Sequence, residues 1–415
     1  MRRPATLGLL TSLYFAQGVP YGFFTQALPV LLRERGLSLA AIGATSLLFL
    51  PWALKFLWAP LVDHTGSRKH WILALQVATL AGALLLSTID LEQSLLLVFA
   101  AMVVFSFLAA TQDIATDGLA VRLLGPADRG LGNGIQVGAY RLGMIYGGGA
   151  LLWIFAHSGW STMFVGMAAA LFVTCLPVLL VPAREAGRMV EPAVRPSAGV
   201  LVAGWMQRLR VPGFVPFIAL ICAYKFGDAM ASALVGPFMH DAGLTKSEIA
   251  LVKGTIGSTM GLAGAALGGF LAWRLGRRRA LIACGVLQTS SLVLYVLCAL
   301  DPADRNLIIA ASTAEHLLGG MATVALFTLM MDASDPAHAG TDYTLLASAV
   351  VIVTGGAGIL AGLIGDTFGY AVSWIIACVL SGAGCWWLVT RVDRGVGPRR
   401  LDDVWPPTSS GLQPL

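Results

Sequence analysis

The chain is cut into apolar blocks of roughly 20–25 residues, parted by short polar turns. As helix, a block of that length crosses the ~30 Å hydrocarbon core of a bilayer, at about 1.5 Å per residue. Twelve spans can be read, near 6–32, 39–62, 71–89, 94–121, 133–156, 160–181, 213–239, 247–272, 280–300, 306–331, 343–365 and 371–390. Lipid offers no partner to a free peptide group, so helices that close their own hydrogen bonds are expected throughout. Composition agrees: 57% of the 415 residues are hydrophobic and 12% charged, about half the charge of a soluble chain. The expectation is an all-α membrane protein.

Between the sixth and seventh spans runs a polar stretch with prolines at 182, 192, 196 and 212. The expected organisation is a six-helix bundle over 1–181, a linker over 182–212, a second bundle over 213–390 and a tail over 391–415. Orientation follows from Lys and Arg by loop. One side holds nineteen, including Arg68, Lys69, Arg122, Arg129, five linker arginines, Arg274, Arg277, Arg278 and Arg279. The other holds only Arg33, Arg35, Lys246 and Arg305, so both termini are expected in the cytoplasm. The basic excess therefore reflects topology and implies no nucleic-acid partner. Arg2 and Arg3 precede the first block like a signal peptide, but no small-x-small cleavage pattern follows, so a retained first helix is expected. Cys175, Cys222, Cys284, Cys298, Cys378 and Cys385 all lie inside apolar spans without metal-ligand spacing and read as packing residues. No HExxH, GxSxG or P-loop occurs, so neither an enzyme nor a cofactor is expected.

Charges inside the spans then become the informative residues. Leaving aside Glu248 at the very start of the eighth span, they are Lys55, Asp113, Asp117, Arg141, Lys225, Asp228, Lys253 and Glu315, two cations and two anions in each half. Unpaired, eight such groups would cost on the order of 20 kcal/mol, so pairing or a wet cavity is nearly forced. Asp113 and Asp117 share a helix face with Gln112 beside them. Lys225 and Asp228 can pair locally at i,i+3. Glu315 with Lys253 is the expected proton-sensitive couple, and His316, one residue on, is expected to point elsewhere as a packed histidine. Counting along the helices puts Lys55, Asp113 and Arg141 at one depth near the cytoplasmic side, and the second-half charges near the midplane or just outside it.

The halves repeat. Gly36 to Ile42 leads into the second span much as Gly243 to Ile249 leads into the eighth, the latter with a capping box of Thr245 and Glu248. Basic turns follow each: Asp63-His64-Thr65-Gly66-Ser67-Arg68-Lys69, and Gly269 through Trp273-Arg274-Leu275-Gly276 to Arg277-Arg278-Arg279. These turns resemble the Gly-x-Leu-x-Asp-Arg-x-Gly-Arg-Arg signature of the major facilitator superfamily, although Trp273 stands where the family has aspartate. The resemblance implies a twelve-helix fold of two pseudo-symmetric bundles, with gating roles for Asp63, Arg68 and Arg274, and for Asp117 nearer the surface. It also implies that the first, second, fourth and fifth helices of each half line the cavity. All eight intramembrane charges fall on those helices.

More narrowly, Ala110 to Asp117, Tyr140-Arg141-Leu142-Gly143 and Tyr224 to Ala229 look like the AmpG branch of muropeptide permeases and acetyl-CoA transporters. The compact length and the stretch from Glu315 to Asp332 look more like its RhtX/FptX-type siderophore permeases. That resemblance implies a bacterial inner-membrane importer of a ferric or free siderophore, coupled to protons through a rocker-switch. Iron would arrive with the cargo, so no protein metal site is expected. Cargo contacts are expected from Lys55, Asp113, Arg141, Lys225 and Asp228, with Tyr14, Gln17, Tyr21, Trp52, Tyr140 and Tyr224. Glu315, Lys253, Asp228 and Asp113 are the proton-coupling candidates.

Other features carry weaker expectations. Gly143/Gly147, Gly264/Gly268 and Gly358/Gly362 are spaced for close helix approach within a monomer. Gln17 to Pro20 and Gly236-Pro237 are expected to interrupt the first and seventh helices along the transport path. Trp58, Trp71, Trp205, Trp273, Trp160 and Trp374 read as an interfacial belt. The alternative cargo is a muropeptide or another anionic metabolite. An exporter is the other alternative, and the absence of proline from Gly147 to Ala150 in the fifth span counts against it.

Overall fold

The structure is a computed structural model that describes residues 3–28, 48, 50–89, 95–180 and 198–407. Gly36 to Ile42, Arg33, Arg35 and the linker before residue 198 lie outside the described residues. Among those described the chain is helical, without strands. We label the long helices α1 (Arg3–Gly22), α2 (Ala59–His64), α3 (Arg68–Thr88), α4 (Leu95–Leu123), α5 (129–158), α6 (160–179), α7 (Phe214–Asp241), α8 (Gly257–Arg274), α9 (Arg277–Leu300), α10 (Arg305–Ala333), α11 (339–368) and α12 (370–393).

Two of the boundaries are single glycines. Gly159 (φ +77°) separates α5 from α6, and Gly369 (φ +83°) separates α11 from α12, 210 residues later. Left-handed backbone of this kind is cheap for glycine and strained for other residues. Gly66 (φ +63°) and Gly276 (φ +79°), in the two basic turns, are also 210 residues apart. The internal repeat is thus written in backbone conformation as well as sequence. Side-chain caps begin α3 at Ser67, which accepts from the His70 amide at 3.3 Å, and α10 at Asp304, which accepts from the Leu307 amide at 3.1 Å. The capping box forms as expected. The Thr245 amide donates to Glu248 at 2.7 Å, and the Glu248 amide donates back to the Thr245 hydroxyl at 3.2 Å.

Eight stretches among the described residues are long and apolar enough to cross a membrane. Two of them, Arg129–Leu179 and Pro336–Asp393, each contain two helices. Many large apolar side chains point outward, among them Trp153, Val173, Leu180, Ile359 and Trp386, as a lipid-facing surface requires. The six cysteines are unpaired thiols.

The helix interruptions differ from expectation. Helix α1 runs through Pro20 to Gly22 and only then widens into a π turn, Phe23–Ala27. Helix α7 runs unbroken through Pro237 to Asp241. The other π turns are Tyr146–Ala150 within α5 and Ala250–Ile256, which carries Lys253 ahead of α8. The path into α2 is broken into Leu50–Leu54, a 3-10 turn Lys55–Leu57 and then α2. Pro60 has no N–H to offer the preceding turn and disfavours helical backbone just before it.

The chain forms two compact units. The first comprises Met1–Leu124, Ala139–Trp205 and Pro336–Ser348. The Phe23, Phe24 and Phe164 rings fill its core. Helix α1 crosses α5 there so closely that a Cβ on Gly18 would lie 2.1 Å from the Tyr140 carbonyl oxygen, and one on Gly143 would lie 2.2 Å from that of Phe15. The second unit comprises Gly125–Gly138, Met206–Asp335 and Ala349–Leu415. Its core stacks Tyr295 on Trp374, and Phe238 meets Trp374 edge-on. Trp374 is fully buried and donates to the Ala231 carbonyl at 3.1 Å, so it is a core residue and not part of an interfacial belt. Gly264 and Gly268 face the backbone of Leu317 and Met321 on α10, whereas Gly362 meets open space. Each unit also takes up a short stretch from the other sequence half: 336–348 in the first, 125–138 in the second.

Candidate functional site

In the first unit the i,i+4 spacing on α4 presents Asp113 and Asp117 to one cation. Lys55 bonds Asp113 and lies 3.9 Å from Asp117. The 3-10 turn that breaks the second span is what brings Lys55 here. The Tyr14 hydroxyl donates to the second oxygen of Asp117 at 2.9 Å. Lys55 and Asp117 are almost wholly buried, Asp113 rather less so. Asp117, expected at the gate, therefore belongs to this cluster. Its place on the Asp113 face outweighs its position four residues nearer the surface.

The aromatic candidates separate by packing. Tyr21 meets Trp52 edge-on with centroids 5.8 Å apart and Tyr140 at 5.5 Å; all three are only half-buried. Tyr14 is committed to Asp117, Tyr146 donates to the Gly166 carbonyl at 3.0 Å, and Phe15 packs on the Tyr146 ring. Tyr224 is buried in the second unit, its ring against Gly285 and its hydroxyl without a partner among the described residues. Gln17 is buried one turn from both Tyr14 and Tyr21, and neither its amide oxygen nor its nitrogen has a partner among the described residues. Arg141 is half-buried on α5, one residue beyond Tyr140.

In the second unit Lys225 bonds Asp228 at 2.5 Å and Thr323 at 3.0 Å. The other oxygen of Asp228 is buried without a partner among the described residues. Glu315 accepts from Ser232 at 2.7 Å, and its second oxygen lies 2.8 Å from His316 Nδ1. The same nitrogen is 2.8 Å from the Ser312 carbonyl. Both neighbours are acceptors, so Nδ1 must carry the proton. This corrects the expected couple. Glu315 is held by His316 and not by Lys253, because His316 folds back along its own helix. Lys253 feels the charge of Glu315 but makes no ion pair with it. Gly319 lies between the two acids: a Cβ there would be 3.7 Å from Asp228 Oδ1 and 3.8 Å from Glu315 Oε1.

A third set of charges sits beside the basic turns. In the first unit, buried Asp63 bonds Arg68 at 2.5 Å and accepts from the amides of Gly340 (3.2 Å) and Thr341 (2.6 Å) and from the Thr341 hydroxyl (2.7 Å). It thus occupies the N-terminus of α11, where unpaired amides and the helix dipole favour an anion. Asp63 keeps Arg68 in place against the cost of burying it. In the second unit Trp273 stands at the position equivalent to Asp63, and the buried acid is instead Asp332 at the end of α10, bonded by Arg277 (2.5 Å) and Arg129 (2.8 Å). Arg277 also donates to the Pro126 and Ala272 carbonyls.

Arg274, the expected gating residue, is exposed and makes no ion pair among the described residues. The turn at Gly276 resets the helical phase, so Arg277 points inward in its place. Arg129, Asp332 and Thr341 were not among the expected site residues. The signal for Asp332 was an acid at the very end of an apolar span; nothing in Arg277-Arg278-Arg279 marks the first as the buried one.

Comparison with known proteins agrees with this architecture. The profile of the Major Facilitator Superfamily matches residues 10–251 and 217–413. The chain is 30% identical over 371 residues to an uncharacterized protein of Haemophilus influenzae, covering 86% of this chain and 87% of that one. It is 29% identical over 392 residues to the anhydromuropeptide permease of Escherichia coli K12, covering 91% and 77%. A solved structure of a proton:xylose symporter superposes with a TM-score of 0.73 over 97% of this chain and 99% of that chain, at 12% identity, which shows a common fold alone. These relatives lend no support to the siderophore-permease resemblance; they favour the muropeptide-permease alternative. A non-enzymatic, multi-pass transporter of the bacterial inner-membrane kind, the chain belongs to the Major Facilitator Superfamily.

Proposed function

We propose that the protein imports an anhydromuropeptide or a closely similar anionic sugar–peptide from periplasm to cytoplasm, driven by protons. The similarity over nine-tenths of the chain to an anhydromuropeptide permease carries this reading. The site chemistry is compatible with it. A cargo with sugar rings, amides and carboxylates calls for aromatic faces, an amide partner and cations. In the first unit Tyr21, Trp52 and Tyr140 offer the first, Gln17 the second, and Lys55 and Arg141 the third; the second unit by itself offers the cation of Lys225. Asp113 and Asp228 would hold Lys55 and Lys225 until cargo competes for them.

Proton coupling would centre on Glu315 and His316. With Nδ1 already donating, a proton taken up at Nε2 gives an imidazolium–carboxylate pair without breaking the existing bond. Lys225, Asp228, Lys253 and Tyr295 surround the pair, so its protonation is felt by the cargo-facing charges. Asp63 on α11 and Asp332 on Arg277 and Arg129 would be the contacts that must open for the cytoplasmic side to be reached.

Uptake into cells or proteoliposomes of labelled anhydromuropeptide, set against a labelled ferric siderophore, tests the cargo. Muropeptide accumulation abolished by a protonophore is expected; accumulation of the siderophore alone would overturn the reading. For the coupling, Glu315→Gln and His316→Gln should remove uphill accumulation while leaving cargo exchange between the two sides. Equal loss of both activities would reduce the pair to a structural role.

A further inference from the structure

Away from both charge clusters, the second unit contains a cavity of about 430 Å³ on the basic, cytoplasmic side. Its wall carries three guanidinium groups, Arg208, Arg399 and Arg400, and a single carboxylate, Asp335. Nothing in the transport reading uses these residues.

The wall is built with some care. Gly213, just ahead of α7, has φ +82°, and a Cβ there would lie 2.0 Å from the Gly397 carbonyl oxygen, so the tail lies directly on the start of α7. Beyond it the short 3-10 helix Arg399–Asp403 turns Leu401 inward, and Trp405 follows; both are 2% exposed. The Trp405 indole donates to Asp393 at 2.8 Å, and Asp393 also receives a two-pronged contact from Arg278 at 2.9 and 3.1 Å. With Leu401 as the inward anchor, Arg399 and Arg400 are held at the rim. Arg208 comes from the opposite wall, its side chain only 11% exposed and 3.8 Å from Asp335. The lining therefore keeps a net charge of two positives around one hollow.

Guanidinium forks match the tetrahedral oxygens of phosphate, and several converging on one hollow suit a phosphate better than a lone carboxylate. Depth selects the source. The cytoplasmic leaflet is where anionic phospholipid headgroups meet basic segments. Phe214, Val211 and Pro212 give the cavity an apolar side. The linker helix Ala198–Leu209, which supplies Arg208, exposes Val202 and Met206 as a helix lying in the interface does.

We propose that this cavity seats the phosphate of an anionic phospholipid from the cytoplasmic leaflet, clamped between the linker helix and the C-terminal tail. The lipid would then act on the end of α10 through Arg208, which lies 3.8 Å from Asp335, three residues past the Asp332 contact.

Native mass spectrometry of the purified full-length protein, titrated with phosphatidylglycerol against phosphatidylcholine, tests this. The exposed pair is removed as Arg399→Gln with Arg400→Gln, which disturbs no buried contact. Wild type should retain phosphatidylglycerol selectively, and the double variant should bind it about tenfold more weakly. A control double variant, Arg391→Gln with Arg394→Gln, removes equal charge from the same side outside the cavity and should bind as wild type does. Equal loss in the control, or retention unchanged in the Arg399/Arg400 variant, would overturn the proposal. So would displacement of phosphatidylglycerol by millimolar inorganic phosphate, which would assign the hollow to a free anion.

Discussion

A buried ion pair is weak evidence for stability but a strong constraint on substitution, since removing one partner strands the other. Asp332 illustrates this at the level of single residues. It is fully buried between Arg277 and Arg129. Arg277→Ala leaves Asp332 paired with Arg129 but removes its other charged hydrogen bonds, so it should destabilise the protein by about 1.5–3 kcal/mol. Arg274→Ala, three residues earlier and exposed, should change stability by less than about 0.5 kcal/mol. Thermal melting in detergent separates the two, and equal effects would refute the assignment of the buried role to Arg277. The sequence showed that this turn is basic but not which arginine turns inward. That depends on the left-handed Gly276, which decides where the next helix begins its first turn.

Gly143→Leu should abolish folded protein, judged by size-exclusion profile, because α1 and α5 touch through backbone at that point. Gly362→Leu, with the same spacing motif but open space around it, should be tolerated. Small-x3-small spacing was legible in both; which copy faces a neighbour was not, since the motif records helix phase but not what lies opposite. The capping box gives a pH test. Bonds from the Thr245 amide and hydroxyl hold the exposed Glu248 carboxyl below its usual range. A depressed value means the stabilising contribution is full above the unfolded value of about 4.3 and is lost as pH falls through the lower folded value. Protection factors for amide exchange at residues 245–249, with the intrinsic pH dependence divided out, should therefore fall on acidification below about pH 4, and Glu248→Gln should flatten that dependence.

For the whole molecule, the residues that join the two sequence halves matter most. Asp63 of the first half caps the start of α11 from the second, within one compact unit. Asp63→Asn keeps the size of the side chain but removes the charge that meets the α11 amides and Arg68. It should lower uptake roughly tenfold, a loss of about 1.4 kcal/mol, with expression unchanged. Alkylation from the cytoplasmic side of a cysteine introduced as Ser348→Cys, buried near the start of α11, should rise several-fold. Unchanged labelling with lost uptake would place Asp63 outside the gate.

Helix type, membrane class, orientation and internal repeat were all legible from the chain, because they follow from hydrocarbon thickness, backbone hydrogen bonding and loop charge, which act on each segment separately. The need for eight intramembrane charges to find partners was legible for the same reason, as a cost that any fold must meet. Partner choice was not. Lys55 joined Asp113 and Asp117, and Glu315 took its neighbour His316 over Lys253. Asp332 gathered two arginines from the first residues of helices α5 and α9, some 150 residues apart. Such pairings depend on rotations of about 100° per residue around helices and on kinks at Pro60, Gly276 and the π turns. A shift of one residue sends a side chain to another face, and packing between helices, which no single segment encodes, selects the face that is kept.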